Sequence, residues 1–354
     1  MPITGDEERV AMPRTVRPGA SASPSMTDVA ALAGVSHQTV SRVLNTPDAV
    51  RPETRRRVEE AIRRLGYRRN YAARALRTQR SGLVGVVSSG ESYYGPSRMT
   101  MAIEEAARSQ DYATLLTALR DARPAAVEKV LGYFLDHRVD GIIVIAAVDA
   151  VAEAAEQLSR RLPVVLVASD LRPAAGIRVV GVDQRLGGRI ATRHLLQRGH
   201  RRILHVAGPG DWFDARGRVV GWREELVTAG LTGETVEAGW DTVDGYRVAH
   251  ELVAAGELPD AIFAANDYLA LGMIRAFTES GVRVPEDLSV IGFDDIEGAA
   301  YFNPPLTTVR QPFDAVGRAV VEVLLAGLGA ESGASRPVEP VALPPELVPR
   351  SSSL

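Results

Sequence analysis

Two sets of residues in this chain have the types and spacing to bind a partner. The first lies in TDVAALAGVSHQTVSRVLN, where His37, Gln38 and Arg42 follow a glycine break, the last two four residues apart. Glutamine can pair with adenine N6 and N7, and arginine with guanine O6 and N7. Thr27, Ser36, Thr39, Ser41 and Asn45 around them suit phosphate contacts, which position a protein without reading sequence; Ser36 also suits a plain helix N-cap. The second set is dispersed: Tyr93, Ser97, Trp212, Asp214, Arg218, Trp240, Asn266, Asp294 and Gln311. Most of these follow short apolar runs. Ring faces stack on C–H surfaces, while carboxylate, amide and guanidinium groups hold hydroxyls, so this set has the chemistry of a sugar site.

Neither set has the chemistry of catalysis. There is no GxxxxGK[ST] phosphate loop, no HExxH and no GxSxG elbow. GPGD at 208–211 follows an apolar run but lacks the GxGxxG spacing of a dinucleotide site. The histidines at 37, 137, 194, 200, 205 and 250 form no metal spacing. Asp294 and Asp295 are adjacent, and on a strand adjacent side chains point to opposite faces, so they are not expected to act as a carboxylate pair. With no cysteine in 354 residues, thiolate chemistry, disulfides and cysteine-ligated zinc are excluded. No catalytic activity, cofactor or metal is expected.

The first set needs two short helices to present it. Val29, Leu32 and Ala33 give the first helix one apolar face, and Val40, Val43 and Leu44 give the second another. Gly34 suits the sharp turn, and Val35 can plug the angle between the helices. This is a helix-turn-helix pattern, whose second helix lies in a DNA major groove. PETRRRVEEAIRRLGY supplies a third helix, with Pro52 at its start, Val58, Ala61, Ile62 and Leu65 on one face, and Gly66 ending it. Between Met26 and Arg80, twelve arginines face five acids, a local +7 in a chain whose net charge is −3. A basic head on an acidic body is the electrostatic footprint of a nucleic-acid reader. Residues 1–25, rich in Pro, Gly, Ser and Ala, read as a disordered tail. NYAARALRTQRS is helical in propensity but too short to be stable alone, so it is expected to order only against a partner.

After Ser81 the pattern becomes fully apolar strands alternating with helices: LVGVVSS, TLLTAL, GIIVIAA, VVLVAS, VVGVD, ILHVAG, AIFAAND and LSVIGFDD. Such strands form parallel sheets covered on both faces. About 270 residues is long for one sheet, so two α/β lobes are expected, with a ligand cleft at the carboxyl ends of their strands. No apolar window is long enough to span a membrane. The first 24 residues hold no apolar run flanked by a cleavage site, so a cytoplasmic location is expected.

Over roughly residues 26–350 the chain resembles the lac repressor/gal repressor (LacI/GalR) family of bacterial regulators. The resemblance rests on TDVAALAGVSHQTVSRVLN, RVEEAIRRLGYRRNYAARALRTQRSGLVGVV, AAND with LALG, VIGFDD and PPLTTVRQ. It implies a helix-turn-helix head over 26–69, a hinge helix over 70–80, and a two-lobed core over 81–350 like that of periplasmic sugar-binding proteins. The N-lobe would take about 81–181 and 311–337, and the C-lobe about 182–310 and 338–350. The positions of His37 and Gln38 would set operator specificity. Tyr67, Asn70, Ala73 and Leu76 would face DNA, with Leu76 wedged between base steps in the minor groove.

The resemblance also carries Arg218, Asp294 and Trp240 into the effector site, Trp240 as a stacking ring. Ala168 departs from the pattern, since some sugar-binding members carry Asp there; Asp170 could substitute. Arg120 and Asp121 are ambiguous in register. Trp222 is expected in the core, Asp295 as a structural cap, and Asn266 and Asp267 as loop organisers as much as ligands. Trp212 stays open between ligand stacking and a surface lid.

The implied protein is a repressor that leaves a pseudo-palindromic double-stranded operator when a sugar binds. The alternative is a regulator using a purine-like corepressor. A solute-binding transport protein fits less well, given the basic head. The family's tetrameric member ends in a leucine-heptad helix; VALPPELVPRSSSL holds no heptad, so a homodimer is expected, joined through the N-lobe including the helix from Ser97. If Leu76 is the wedge, Leu76→Ala folds normally but loses most specific operator affinity in a gel-shift titration; unchanged binding refutes that role.

Overall fold

The computed structural model describes residues 24–68, 80–89, 93–119, 123–169, 171, 177–329 and 339–353. Most of the expected tail and hinge, with Asn70, Ala73 and Leu76, lies outside the described residues, as do Arg120, Asp121 and Asp170. The chain divides into a head and a core, each compact in itself.

In the head, Ser25 caps α1 (Met26–Ala33) through a reciprocal box with Asp28. Asp28 N donates to Ser25 Oγ at 3.3 Å, and Ser25 N donates to Asp28 Oδ2 at 2.7 Å. Gly34 ends α1 with φ of 62°, a left-handed conformation that glycine adopts without a Cβ penalty. Ser36 caps α2 (His37–Asn45), accepting from Thr39 N at 3.1 Å. α3 (Pro52–Leu65) begins on proline and stops at Gly66, again left-handed. Val29, Ala30, Ala33, Val40, Val43, Val58 and Ala61 form the core, with Val35 packed beside them.

Leu32 departs from the expected apolar face, at 44 % exposed. At 3.6 residues per turn, Ala30 and Leu32 lie on opposite sides of the Val29–Ala33 line. α1 turns the small Ala30 inward, where it is buried, and Leu32 rotates out. Arg57 ties α3 to the turn, its Nη2 donating to Ala33 O at 2.6 Å and to Gly34 O at 3.2 Å.

The first sheet of the core is parallel throughout. It comprises β1 (Leu83–Ser88), β2 (Ala113–Ala118), β3 (Gly141–Ile145), β4 (Val164–Val167), β5 (Arg178–Val182) and β11 (Val341–Leu343), in the order β11-β5-β4-β3-β1-β2. α4 (Tyr94–Ser109) and α11 (Phe313–Gly329) cover one face; α5 (Pro124–Asp136) and α6 (Asp149–Ser159) cover the other. β3 shows why the run is apolar throughout: Ile142 and Val144 enter one core, Ile143 and Ile145 the other.

The second sheet is built from β6 (Ile203–Ala207), β7 (Thr235–Glu237), β8 (Ala261–Ala264) and β9 (Ser289–Ile291), all parallel, in the order β7-β6-β8-β9. α7 (Gln184–Gln197) and α8 (Phe213–Thr228) lie on one face, and α9 (Thr242–Ala255) and α10 (Asp267–Glu279) on the other. β10 (Thr308–Arg310) pairs antiparallel with β12 (Glu346–Val348).

The expected α/β core with parallel sheets is therefore present, and each expected strand run holds a strand. The lobe limits need correction at two places. Val182 completes β5 in the first sheet, and Val341–Leu343 joins that sheet too, pairing with β5. The final segment thus visits the N-lobe before β12 returns to the C-lobe. A three-residue edge strand is set by its partner's open edge, and too short to show a period of its own. No helix among the described residues is long and apolar enough to cross a membrane.

Gly34→Ala would force a side chain into a left-handed backbone and place its Cβ 2.8 Å from Arg57 Nη2. A loss of about 1–2 kcal/mol from the head is expected, measured by hydrogen exchange of the α1 and α2 amides in the full chain.

Candidate functional site

On the head, His37, Gln38 and Arg42 are all exposed on α2, and Thr27 is exposed on α1. Thr39 and Ser41 are half-buried, and Tyr67 packs partly against the head core. Ser36 Oγ is engaged by Thr39 N and lies 2.9 Å from Thr39 Oγ1, so the cap role holds this side chain in place. Asn45 forms the last residue of α2. The second helix therefore presents one amide, one imidazole and one guanidinium from its first half and middle.

In the core, a cleft runs along the carboxyl ends of the strands. One chamber is lined by Tyr93, Trp212, Asp214, Arg218, Trp240 and Asp294 among others. A second shares Trp212, Asp214 and Gln311 with the first and continues to the N-lobe side past Met99, Ala146, Ala168 and Phe313.

A directed chain of hydrogen bonds forms the polar wall. Arg218 Nε donates to Gln184 Oε1 at 2.9 Å, Gln184 Nε2 to Gln311 Oε1 at 2.8 Å, and Gln311 Nε2 to Asp294 Oδ1 at 2.6 Å. Arg218 Nη1 donates to Ala265 O at 2.6 Å, and its Nη2 stands 3.9 Å from both Asp214 Oδ2 and Asp294 Oδ1. Gln184 opens α7 and Gln311 follows β10, so the amide pair joins two chain crossings between the lobes. Ser169, just past β4, donates to Asp214 Oδ1 at 2.6 Å, a further bond from lobe to lobe.

The aromatic wall is equally fixed. Trp212 meets Tyr93 edge-on at 5.2 Å and Trp240 at 5.3 Å between centroids. The Arg218 guanidinium lies 3.8 Å from the Phe293 ring centre and 5.7 Å from that of Trp240. Trp240 Nε1 is buried with no acceptor among the described residues. Asn266 caps α10, accepting from Leu269 N at 2.8 Å, and donates to Trp240 O at 3.0 Å.

Of the expected effector residues, the fold brings Tyr93, Trp212, Asp214, Arg218, Trp240, Asn266, Asp294 and Gln311 around the first chamber. Ser97 is not among them. α4 starts at Tyr94, and Tyr94, Gly95 and Pro96 line the cleft while Ser97 lies further along the helix, its N–H donating to Tyr93 O. Asp294 and Asp295 are not on a strand, because β9 stops at Ile291. They occupy a turn with φ of 109° and 52°. Asp294 faces the cleft; Asp295 is ion-paired to Arg310 and Arg350 at 2.7 Å each rather than capping a helix. Trp222 is core, 1 % exposed. Gln184, Ser169 and Asp241 also take part in the cleft, outside the expected set. Gln184 has a signal only in hindsight, as the first helical residue after VVGVD.

Two sequence profiles match the chain: "Bacterial regulatory proteins, lacI family" over residues 25–70, and "Periplasmic binding protein-like domain" over 192–353. The HTH-type transcriptional repressor PurR of Haemophilus influenzae (strain PittEE) is 33 % identical over 329 residues, covering 92 % of this chain and 97 % of the relative. This chain belongs to the lacI family of bacterial regulatory proteins. Among solved structures, the lac repressor dimer bound to operator and the anti-inducer ONPF is similar with a TM-score of 0.75 and 32 % identity, covering 94 % of this chain and 99 % of that one. The complex of transcriptional regulator CelR with cellobiose gives 0.66 and 32 %, covering 93 % and 99 %. Membership makes the chain a DNA-binding transcriptional regulator and not an enzyme.

Electrostatics in this lacI-family cleft follow from burial. Desolvation pushes the Asp294 carboxyl up to about 6, against the opposing pull of Arg218 and the Gln311 hydrogen bond, with Asp214 adding to the rise. Burial likewise raises Asp267 well above the usual carboxylate range, with Asp294 adding to it. A carboxyl whose folded pKa is raised stabilises the fold fully below its unfolded value, near 3.8, and that contribution is lost as pH rises through about 6. Asp294→Asn removes this charge, so the variant should lack that part of the stability loss between pH 4 and 6, of order 3 kcal/mol. Thermal unfolding followed across that window measures it; Asp267 contributes with the same sign in both proteins.

Proposed function

We propose that this regulator is a repressor, holding a pseudo-palindromic operator as a homodimer and releasing it when a sugar occupies the core cleft. The observation that carries the sugar reading is the cleft itself, where three aromatic rings (Tyr93, Trp212, Trp240) stand around the Arg218–Gln184–Gln311–Asp294 chain. Ring faces suit the C–H side of a pyranose, and the carboxylates and guanidinium suit its hydroxyls. Asp214, Asp241 and Asp294 outnumber Arg218, which favours a neutral polyol over a phosphorylated one. The second chamber gives room for a second ring or an apolar aglycone, consistent with the similarity to a cellobiose-bound regulator.

On the head, Gln38 and Arg42 read base edges and His37 a neighbouring position, while Thr27, Thr39, Ser41 and Asn45 hold the backbone. Exposed Met101 on α4 and Leu116 on the edge strand β2 give the N-lobe an apolar surface for a second copy. Sugar binding biases the lobes, and the segment 70–79 transmits that bias to the head as a coupling free energy of ~1–3 kcal/mol. A purine-like corepressor is the second reading, because the faces of Trp212 and Trp240 would also stack on a flat base.

The test is a thermal-shift screen of mono- and disaccharides, sugar phosphates and purines. A neutral sugar at about 100 times its Kd should add about 2.7 kcal/mol of stability, and Trp240→Ala should weaken it at least about tenfold, or ~1.4 kcal/mol. A gel shift with that sugar should then show lowered operator affinity. A purine that tightens operator binding replaces the sugar reading with the second one.

A further inference from the structure

Asp267 is fully buried, does not line the cleft, and has no part in the polar chain described above. Its partners nevertheless lie on both sides of Asp294. The Asp267 N–H donates to Phe293 O at 2.8 Å. Oδ2 accepts from Ile296 N at 2.8 Å, and Oδ1 accepts from Thr308 Oγ1 at 2.6 Å. Thr308 Oγ1 in turn accepts from Asp295 N at 3.3 Å. The carboxylate sits so close to the chain that a Cβ on Gly292 would fall 2.1 Å from Oδ1.

The turn between these grips is one that unassisted residues rarely adopt. Asp294 and Asp295 have φ of 109° and 52°, and neither is glycine. Such a conformation persists only where the surroundings over-determine it. The preceding residue, Asn266, holds Trp240 O from the same helix end. One helix N-terminus thus grips both the aromatic wall and the carboxylate wall.

We infer that Asp267 is a positioning residue of the effector site: by bonding the backbone on either side of Asp294, and Thr308 beside it, it holds Asp294 and Asp295 at positive φ and aims the Asp294 carboxylate at Gln311 and Arg218. Its bearing on effector affinity rests on the proposed reading of the cleft; its hold on the turn does not.

Full-length Asp267→Ala and Asp267→Asn proteins test this without any ligand. In the alanine variant, a crystal structure should show Asp294 Oδ1 withdrawn from Gln311 Nε2. Carbon-13 titration of the Asp294 carboxyl should move from about 6 toward 3.8. The asparagine variant should keep both features, because an amide still accepts from Ile296 N and can donate to Thr308 Oγ1. A merely structural Asp267 would lower the Tm and leave both features in place in the alanine variant, which overturns the inference. If the alanine variant does not fold, Thr308→Val releases one grip from the far side; a displaced Asp294 supports the inference and an unmoved one overturns it. Cellobiose and lactose serve as probes of the cleft by tryptophan fluorescence, with at least a tenfold loss expected for the alanine variant of any affinity the wild type shows. A wild type blind to both sugars counts against the sugar reading alone, since turn geometry and titration decide the role of Asp267.

Discussion

The core is arranged around one buried cation. Arg218 is 3 % exposed, and a guanidinium taken out of water needs charge and acceptors on every side. Here it has the Gln184 amide oxygen, the Ala265 carbonyl, two carboxylates at 3.9 Å and the face of Phe293. These partners come from the start of α7, the end of β8, α8, and the turn after β9. Satisfying one charge therefore fixes the relative placement of four segments at the carboxyl ends of the strands. The same arrangement brings the Asp294 carboxyl up to about 6, so that it stays mostly ionised at pH 7 although the cation beside it only partly offsets its desolvation.

Other contacts between the lobes differ in kind from that centre. Arg216 forks onto Asp149 at 3.0 and 3.1 Å, and Phe213 N donates to Ala147 O at 2.9 Å. The ion pair is exposed, and such pairs contribute little net stability. The Arg216–Asp149 pair is therefore a contact whose loss would cost the fold little. Three chain crossings, after β5, β10 and β11, join the lobes. In the proposed mechanism a ligand only has to bind one lobe arrangement better than the other.

The C-terminal segment stabilises the same region from behind. Arg350 pairs with Asp295 and donates to Leu306 O at 2.8 Å. Ser352 bonds Val290 O and Thr307 N, and Ser353 lies against Thr307 and His194. Ser352 and Ser353 are thus buried in the C-lobe. Asp295, beside Asp294, is neutralised by two arginines, so the two adjacent acids have separate duties: one faces the cleft and the other anchors the turn.

What the sequence determined by itself was everything set within a few residues. The helix-turn-helix was legible because Gly34, Ser36 and the apolar spacing act locally, and the parallel sheets because strands buried on both faces must be apolar throughout. Arg218, Trp240 and Asp294 were legible through the motifs around them. Tertiary structure decided the rest. Leu32 points outward because α1 packs on Ala30, Ser97 lies beyond the cleft because α4 begins at Tyr94, and Val341–Leu343 joins the N-lobe because β5 leaves an edge open. Ser169 carries no local mark, Gln184 only its place at the start of a helix, and Asp267 reads as a loop organiser without its partners being legible. Their roles depend on partners 127, 45 and 41 residues away, and pairings over such distances are fixed by which side chains the completed fold brings together.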